Sequence, residues 1–183
     1  MDKFTTSLFE EGSRVFTLAN SGNGKGKTTA SLGLALRTVG AGKAVFFAQF
    51  VKGKAYAEVK TIQQYIPDIT IRQYGRDCFI HKTPEEADIR LAVQGLQEAA
   101  TALSSGHYGL VVLDEACIAL HYHLFSIEDL LAILDKKHPA TEVVITGRYA
   151  PPALLEKADL VTEMKNIKHY WDKGVQARPG IEY

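Results

Sequence analysis

The sequence predicts an α/β fold, with a mostly parallel sheet and helices on both faces. Short β-rich apolar runs alternate with helix-periodic segments along the chain. Most of these runs lack polar alternation, as strands buried on both faces do. No internal repeat or low-complexity linker interrupts the pattern, so we expect a single domain over residues 14–183. Residues 1–13 are expected to form an N-terminal arm.

The apolar runs predict six strands. They cover residues 14–18, 43–50, 69–74, 109–114, 142–147 and 160–163. A capping box of Thr83 and Glu86, with Pro84 at the first helical position, predicts a helix that continues to Leu103. Apolar residues at spacings of three and four define the face of this helix that should pack on the sheet. They are Ile89, Ala92, Val93, Leu96, Ala100 and Leu103. Ser126, with Asp129 three residues later, predicts the start of another helix.

Composition excludes several classes of protein. With 183 residues, 46% of them hydrophobic and 23% charged, the chain has the composition of a globular domain rather than a disordered one. Lysine and arginine total 21, equal to aspartate and glutamate, so the basic surface of a nucleic-acid binder is not expected. Neither a signal peptide nor an apolar run of about 20 residues is present, which predicts a cytoplasmic protein without membrane contact. Cys78 and Cys117 are widely separated and are interpreted as buried hydrophobic residues.

A glycine-rich turn links the first predicted strand to a helix. Its alternating glycines let successive backbone N–H groups point at an anion, and the helix N-terminus adds its positive dipole end. Lys27 is expected to reach a phosphate and the Thr28 hydroxyl to bind Mg²⁺, although Ser21 departs from the pattern GxxxxGK[ST]. The predicted nucleotide ligands of the turn are Gly22, Asn23, Gly24, Lys25, Gly26, Lys27, Thr28 and Thr29. The fold class is therefore P-loop NTPase-like (RecA-like). Inward-facing residues of the following helix are expected to be Leu32, Ala35, Leu36 and Val39.

Charged residues follow two later strands. Asp114 and Glu115 end the fourth apolar run, where carboxylates of a parallel sheet face the ligand crevice. One of the two is predicted to hold Mg²⁺, directly or through water, and the other to orient a neighbouring residue. The alternative is that Asp114 caps the next helix. Arg148 follows the fifth run, and Arg37 lies one helix beyond the glycine-rich turn. Either arginine could bind phosphate, or be an ordinary surface residue.

Several motifs in fixed order give a more specific comparison. They are GNGKGKTT at 22–29, QFVKG at 49–53, VVLDE at 111–115, ALHY at 119–122, ITGR at 145–148, TEM at 162–164 after Asp159, KH-WD-G at 168–174 and GIEY at 180–183. In these the sequence resembles the P-loop-type ATP:corrinoid adenosyltransferases, over nearly its whole length. The loop without its first glycine is the form found in that family.

The resemblance implies transfer of the 5′-deoxyadenosyl group of ATP to the cobalt(I) of a corrinoid, with release of triphosphate. ATP is then the co-substrate, a corrinoid such as cobalamin or cobinamide the acceptor, and Mg²⁺ the cofactor. Lys27 and Glu115 are the predicted catalytic residues, with Thr28, Asp114 and Glu115 at the metal. A homodimer, a separate flavoprotein as electron donor and a substrate-closing role for residues 1–13 are further implications.

One stretch departs from the family pattern. Some relatives shield the lower corrinoid face with a Gly-Phe-x-Trp stretch, where this chain has Asp77-Cys78-Phe79-Ile80. No shielding residue is therefore carried over, and two interpretations of Phe79 stay open: a shielding residue shifted by one position, or a core residue. Two other functions stay open from the residues alone: a P-loop ATPase or small-molecule kinase, and a non-catalytic module that binds ATP or corrinoid.

Overall fold

The computed structural model describes residues 16–19, 23–54, 56–76 and 83–183. The strands are β1 (Phe16–Ala19), β2 (Ala44–Phe50), β3 (Ile69–Tyr74), β4 (Tyr108–Asp114), β5 (Glu142–Thr146) and β6 (Leu160–Thr162). The helices are α1 (Lys27–Gly40), α2 (Ala57–Tyr65), α3 (Glu86–Ser104), α4 (Ala116–His121), α5 (Ile127–Asp135) and α6 (Pro152–Lys157), and a 3-10 turn covers Tyr170–Lys173. All six predicted strands are confirmed within two residues at each end. The predicted arm, residues 1–13, lies outside the described residues.

The strands form one sheet in the order β3-β2-β4-β5-β1-β6, and every pairing in it is parallel. β5 lies between β1 and β4, the RecA-like arrangement. Because parallel strands end at the same edge, this order brings the glycine-rich turn after β1 beside the residues that follow β4 and β5. The predicted α/β fold with a parallel sheet is thus confirmed.

Helices cover both faces of the sheet, as predicted. Along β2, Phe46, Ala48 and Phe50 face a core shared with α3, α4 and α5, while Val45 and Phe47 face a core shared with α1 and α2. This alternation follows from the period of two along a strand, and it explains why β2 is apolar at nearly every position. Across the described residues, no helix combines the length and apolar composition needed to cross a membrane.

The start of α3 differs from the prediction. The capping box is formed by Glu85 and Asp88, not by Thr83 and Glu86, so Pro84 precedes the cap instead of opening the helix. Asp88 accepts two hydrogen bonds from the Arg76 guanidinium, at 2.7 and 2.9 Å, as well as one from the Glu85 backbone N–H. This long-range ion pair, which a local motif does not reveal, selects the helix start.

Two apolar residues predicted to face inward are exposed. On α3, Ala92, Leu96 and Leu103 are buried as predicted, but Ile89 in the first turn is 39% exposed. On α1, Leu36 is 53% exposed, because the buried stripe runs through Ser31 and Ala35. The predicted start of α5 is confirmed: the Asp129 backbone N–H donates to Ser126 Oγ at 3.0 Å. Cys117 is buried and not in a disulfide, whereas Cys78 and Phe79 lie outside the described residues.

Candidate active site

A cleft of about 470 Å³ opens at the carboxyl edge of the sheet. Its lining combines the glycine-rich turn, the loops after β2, β4 and β5, and the end of the chain. The charged residues among the lining are Lys25, Lys27, Lys52, Glu58, Glu115, Arg148 and Glu182. Cations from three separate loops therefore surround one space with three carboxylates, which is an arrangement suited to an anionic ligand that also carries a metal ion.

The glycine-rich turn is held by glycines at two positions that other residues would strain. Gly26 caps α1 with a φ of +119°, a conformation that L side chains rarely adopt. A Cβ at Gly24 would lie 2.4 Å from the Met164 backbone oxygen, and the Gly24 N–H donates to that same oxygen at 2.9 Å. The segment after β6 thus fixes the turn from outside the sheet and leaves the N-terminus of α1 facing the cleft.

Lys27, the first residue of α1, folds back over the turn. Its buried Nζ donates to the Gly24 carbonyl oxygen at 2.8 Å. Burial lowers the pKa of the Lys27 ammonium, an effect that the Glu115 carboxylate opposes. The side chain is therefore held inside the turn, where a phosphate oxygen could replace the Gly24 carbonyl oxygen as acceptor of the hydrogen bond from Nζ.

Asp114 is the buried centre of a hydrogen-bond network. Its carboxylate is 0% exposed and accepts from Thr28 Oγ1 at 3.0 Å, Thr146 Oγ1 at 2.7 Å, Lys52 Nζ at 2.8 Å and Gln49 Nε2 at 3.4 Å. A buried carboxylate needs such partners, since the cost of removing it from water is otherwise large. These contacts tie α1, β5, and β2 with the loop that follows it to the end of β4.

Glu115 points a second carboxylate from the same strand end in another direction. Its φ of 60° lies in the left-handed region, which few non-glycine residues occupy, and its N–H donates to Thr146 Oγ1 at 3.0 Å. Glu115 lines the cleft, while Asp114 stays behind it. Burial raises the pKa of Glu115, and the neighbouring Asp114 charge raises it further.

The end of the chain closes one side of the cleft. Lys25 Nζ donates to Glu182 Oε1 and to Tyr170 Oη, both at 2.8 Å, and Arg178 also pairs with Glu182. Hydrogen bonds from Arg178 and from Lys25 hold the pKa of Glu182 well below its usual range. The glycine-rich turn and the C-terminal segment 180–183 are thus joined directly.

The structure brings most of the predicted site residues together. Residues 23–29, Glu115 and Arg148 line the cleft, and Asp114 lies directly beneath Thr28. Gly22 lies outside the described residues. Arg37 is in the last turn of α1, roughly 15 Å along the helix from Lys27 at 1.5 Å per residue, and does not line the cleft.

The structure places at the site several residues for which the sequence alone predicts no role. They are Gln49, Lys52, Tyr56, Glu58, His169, Tyr170 and Glu182. Most of these lie in or beside the motifs QFVKG, KH-WD-G and GIEY, so the motifs themselves were the available signal. Only the folded structure shows that these motifs, which are distant in sequence, come together at one cleft.

The sequence matches the family described as ATP:corrinoid adenosyltransferase BtuR/CobO/CobP over residues 14–183. It is similar to the corrinoid adenosyltransferase of Pseudomonas aeruginosa, at 35% identity over 171 residues, which are 93% of this chain and 84% of that protein. The corrinoid adenosyltransferase of Escherichia coli K12 is 34% identical over 172 residues, covering 93% of this chain and 86% of that protein. That of a Sinorhizobium species is 34% identical over 169 residues, or 91% and 79%. The motifs, the fold and these matches agree, and the chain belongs to the ATP:corrinoid adenosyltransferase family.

Proposed function

We propose that the cleft binds ATP with its triphosphate against residues 23–29 and presents it for the reaction of the family. That reaction is transfer of the adenosyl group from ATP to a corrinoid, and membership assigns it to this chain. The observation that supports this use of the cleft is the convergence of Lys27, Lys52 and Arg148 with the N-terminus of α1 on one space. A triphosphate needs this density of donors and positive charge.

Lys27 and the amides of the glycine-rich turn then stabilise the leaving group. Cobalt(I) of the corrinoid attacks the ribose C5′, the C5′–O bond breaks, and its electron pair leaves with triphosphate. No proton is removed from the nucleophile, so no general base is needed. Negative charge grows on the triphosphate in the transition state, and donors fixed in advance around it lower the barrier. This assigns Lys27 a catalytic role.

The oxygen-bearing side chains beside the glycine-rich turn are of the kind that Mg²⁺ binds. Thr28 Oγ1 and Asp114 Oδ1 are oxygen donors 3.0 Å apart, and Mg²⁺ usually takes one or two carboxylates together with phosphate oxygens and waters. We propose that Thr28, Asp114 and Glu115 hold it, directly or through water, when ATP is bound. The ion supplies charge neutralisation on the triphosphate. Because the Thr28 hydroxyl donates a hydrogen bond to Asp114, its oxygen lone pairs point away from that carboxylate.

Other parts of the proposal are supported by family resemblance. The chain is proposed to act as a cytoplasmic homodimer, to receive electrons from a separate flavoprotein, and to use residues 1–13 as a lid. Gly22 remains a proposed nucleotide ligand, whereas Arg37 does not line the cleft. Sedimentation velocity tests the dimer. Deletion of residues 1–13 tests the lid, which would be rejected if turnover and corrinoid affinity did not change.

An anaerobic assay tests the function directly. Chemically reduced cobalamin, Mg²⁺ and ATP are incubated with the protein while the corrinoid spectrum, triphosphate and orthophosphate are followed. Light-sensitive adenosylcobalamin formed one for one with triphosphate is the expected result. Orthophosphate released without corrinoid would instead indicate an ATPase, and ADP with a phosphorylated product would indicate a kinase.

A further inference from the structure

The Lys52 ammonium contacts two of the three residues proposed to hold Mg²⁺, Asp114 and Thr28. Nζ is 2.8 Å from Asp114 Oδ2 and 3.2 Å from Thr28 Oγ1, and the Lys52 side chain is 18% exposed. A positive charge therefore already occupies the place beside Asp114 where a metal ion would bind.

The backbone that carries Lys52 is fixed by a tight fit between two loops. Val51, a β-branched residue, has a φ of 57°, and its backbone N–H donates to the Tyr74 carbonyl oxygen at 3.1 Å. A Cβ on Gly75 would lie 2.4 Å from the backbone nitrogen of Lys52, and a Cβ on Gly53 would lie 2.4 Å from the backbone carbonyl carbon of Arg76. An unusual backbone held from both sides delivers the ammonium to Asp114, which is the pattern of a positioned side chain.

We propose that Lys52 is an exchangeable counter-ion of the site. Its ammonium neutralises Asp114 while no nucleotide is bound, leaves when Mg²⁺ arrives with ATP, and then pairs with the triphosphate. The proposal rests on the Mg²⁺ site proposed above. Two cations cannot share these oxygens at contact distance, since their mutual repulsion is strong in a poorly solvated site. Lys52 also lines the cleft, so its ammonium can reach an anion there without movement of the backbone.

This exchange couples the metal to the nucleotide. A metal ion alone must displace a tethered ammonium that has no new partner, so it binds weakly. When ATP is present, the displaced ammonium gains the triphosphate as its partner. Lys52 would thus keep the site from filling with metal alone and favour the intact complex of metal and ATP.

The test compares Mn²⁺ binding by the full chain with and without ATP, with free Mn²⁺ counted by electron paramagnetic resonance. Mn²⁺ takes the same oxygen donors as Mg²⁺. Wild-type protein is expected to bind it weakly alone and tightly with ATP. Lys52→Met removes the competing charge at similar length, so nucleotide-free affinity should rise about tenfold if the ammonium occupies the site roughly nine-tenths of the time. In the same variant, affinity for ATP with Mn²⁺ should fall.

Lys25→Met is the matched control. It removes one positive charge from the same cleft, but Lys25 pairs with Glu182 and Tyr170 rather than with Asp114. A Lys52→Met protein that binds Mn²⁺ no more tightly than Lys25→Met would overturn the exchange. Failure of wild-type protein to bind Mn²⁺ even with ATP would reject the metal site itself, while the product assay would still report on adenosyl transfer.

The melting temperatures of Lys52 variants provide a second test, which also applies to variants that are too unstable for the binding measurement. Removing Lys52 leaves Asp114 as a buried carboxylate without its cation, which should lower the melting temperature. Mg²⁺ should restore that temperature in Lys52→Met and Lys52→Gln, because the metal ion replaces the ammonium. Variants that remain destabilised at every Mg²⁺ concentration would contradict the proposal.

Discussion

The Thr146 hydroxyl links the two carboxylate residues at the end of β4. It donates to Asp114 Oδ1 at 2.7 Å and accepts the backbone N–H of Glu115 at 3.0 Å. Thr146 and Asp114 are both fully buried, so water cannot replace the contact between them. One hydroxyl on β5 thereby sets both the direction of the Asp114 carboxylate and the left-handed turn at Glu115.

Thr146→Val should therefore affect both stability and nucleotide binding. Valine keeps the shape but leaves the Glu115 N–H and the buried Asp114 carboxylate oxygen without this partner, at a cost of about 1–3 kcal/mol in the free energy of unfolding. Because Asp114 also loses a constraint on its orientation, KM for ATP should rise. Urea denaturation and steady-state kinetics measure the two effects.

Thr141→Val is the control for Thr146→Val. Thr141 is also buried, and its hydroxyl donates to the Tyr108 backbone carbonyl oxygen at 2.8 Å. Tyr108 begins β4, so this contact lies at the end of the strand away from the cleft. It should lower stability without raising KM for ATP. Equal changes in KM for both variants would show that general loosening, rather than the Asp114 contact, is responsible.

Gly24→Ala tests the close approach between the glycine-rich turn and the segment after β6. The added Cβ would meet the Met164 backbone oxygen at 2.4 Å, so one of the two backbones must move. We expect a loss of about 1–3 kcal/mol in unfolding free energy, typical of an overpacked contact, and a large loss of ATP affinity. Calorimetric titration with ATP measures the second effect.

Gly33→Ala is the matched substitution on α1. Nothing lies within 4 Å of a Cβ at Gly33, and alanine favours the helix by about 0.5–1 kcal/mol over glycine. This variant should be more stable than the wild type and bind ATP normally. If both substitutions weakened ATP binding alike, the Met164 contact would not be the cause.

The parts of the fold and site that the sequence predicts are those encoded locally. Each strand is a contiguous apolar run, and the turn from Asn23 to Thr29 carries its chemistry within a few residues. The Lys52–Asp114 contact spans 62 positions and the Lys25–Glu182 contact spans 157, so only the assembled sheet reveals them. The start of α3 differs from the prediction for a similar reason, since Asp88 in its first turn is held by Arg76 from the loop after β3.

Lys27→Ala should abolish most of the turnover while the fold survives. The substitution removes one fixed positive donor from the leaving triphosphate, and loss of one such group typically lowers kcat by about 100–1,000-fold. Triphosphate release in the anaerobic assay measures the effect. Lys60→Ala, an exposed lysine of α2 that does not line the cleft, should leave the rate unchanged. A near-normal rate in folded Lys27→Ala would remove this lysine from the mechanism.

Asp88→Asn should destabilise the protein in a pH-dependent way. The hydrogen bonds from Arg76 hold the pKa of Asp88 below its ordinary value of 3.8, with the Glu85 N–H adding to the effect. The folded state thus binds this proton less tightly than the unfolded state does, so the contribution is present above the ordinary pKa and is lost as pH falls through the folded-state pKa. Asparagine weakens the pairing by roughly 1–3 kcal/mol near neutral pH, since hydrogen bonds to a charged group are lost.

Urea denaturation of wild type and Asp88→Asn from about pH 7 down to about pH 3 should therefore show converging stabilities. Glu86→Gln is the control, because Glu86 forms an exposed pair with Arg90 on the same helix, and such pairs contribute about 1 kcal/mol or less. Its difference from wild type should be small throughout. If the difference in unfolding free energy between wild type and Asp88→Asn stayed constant with pH, the charge on Asp88 would not be the cause. Side-chain shape and helix capping would then hold the start of α3 to Arg76, in the loop after β3.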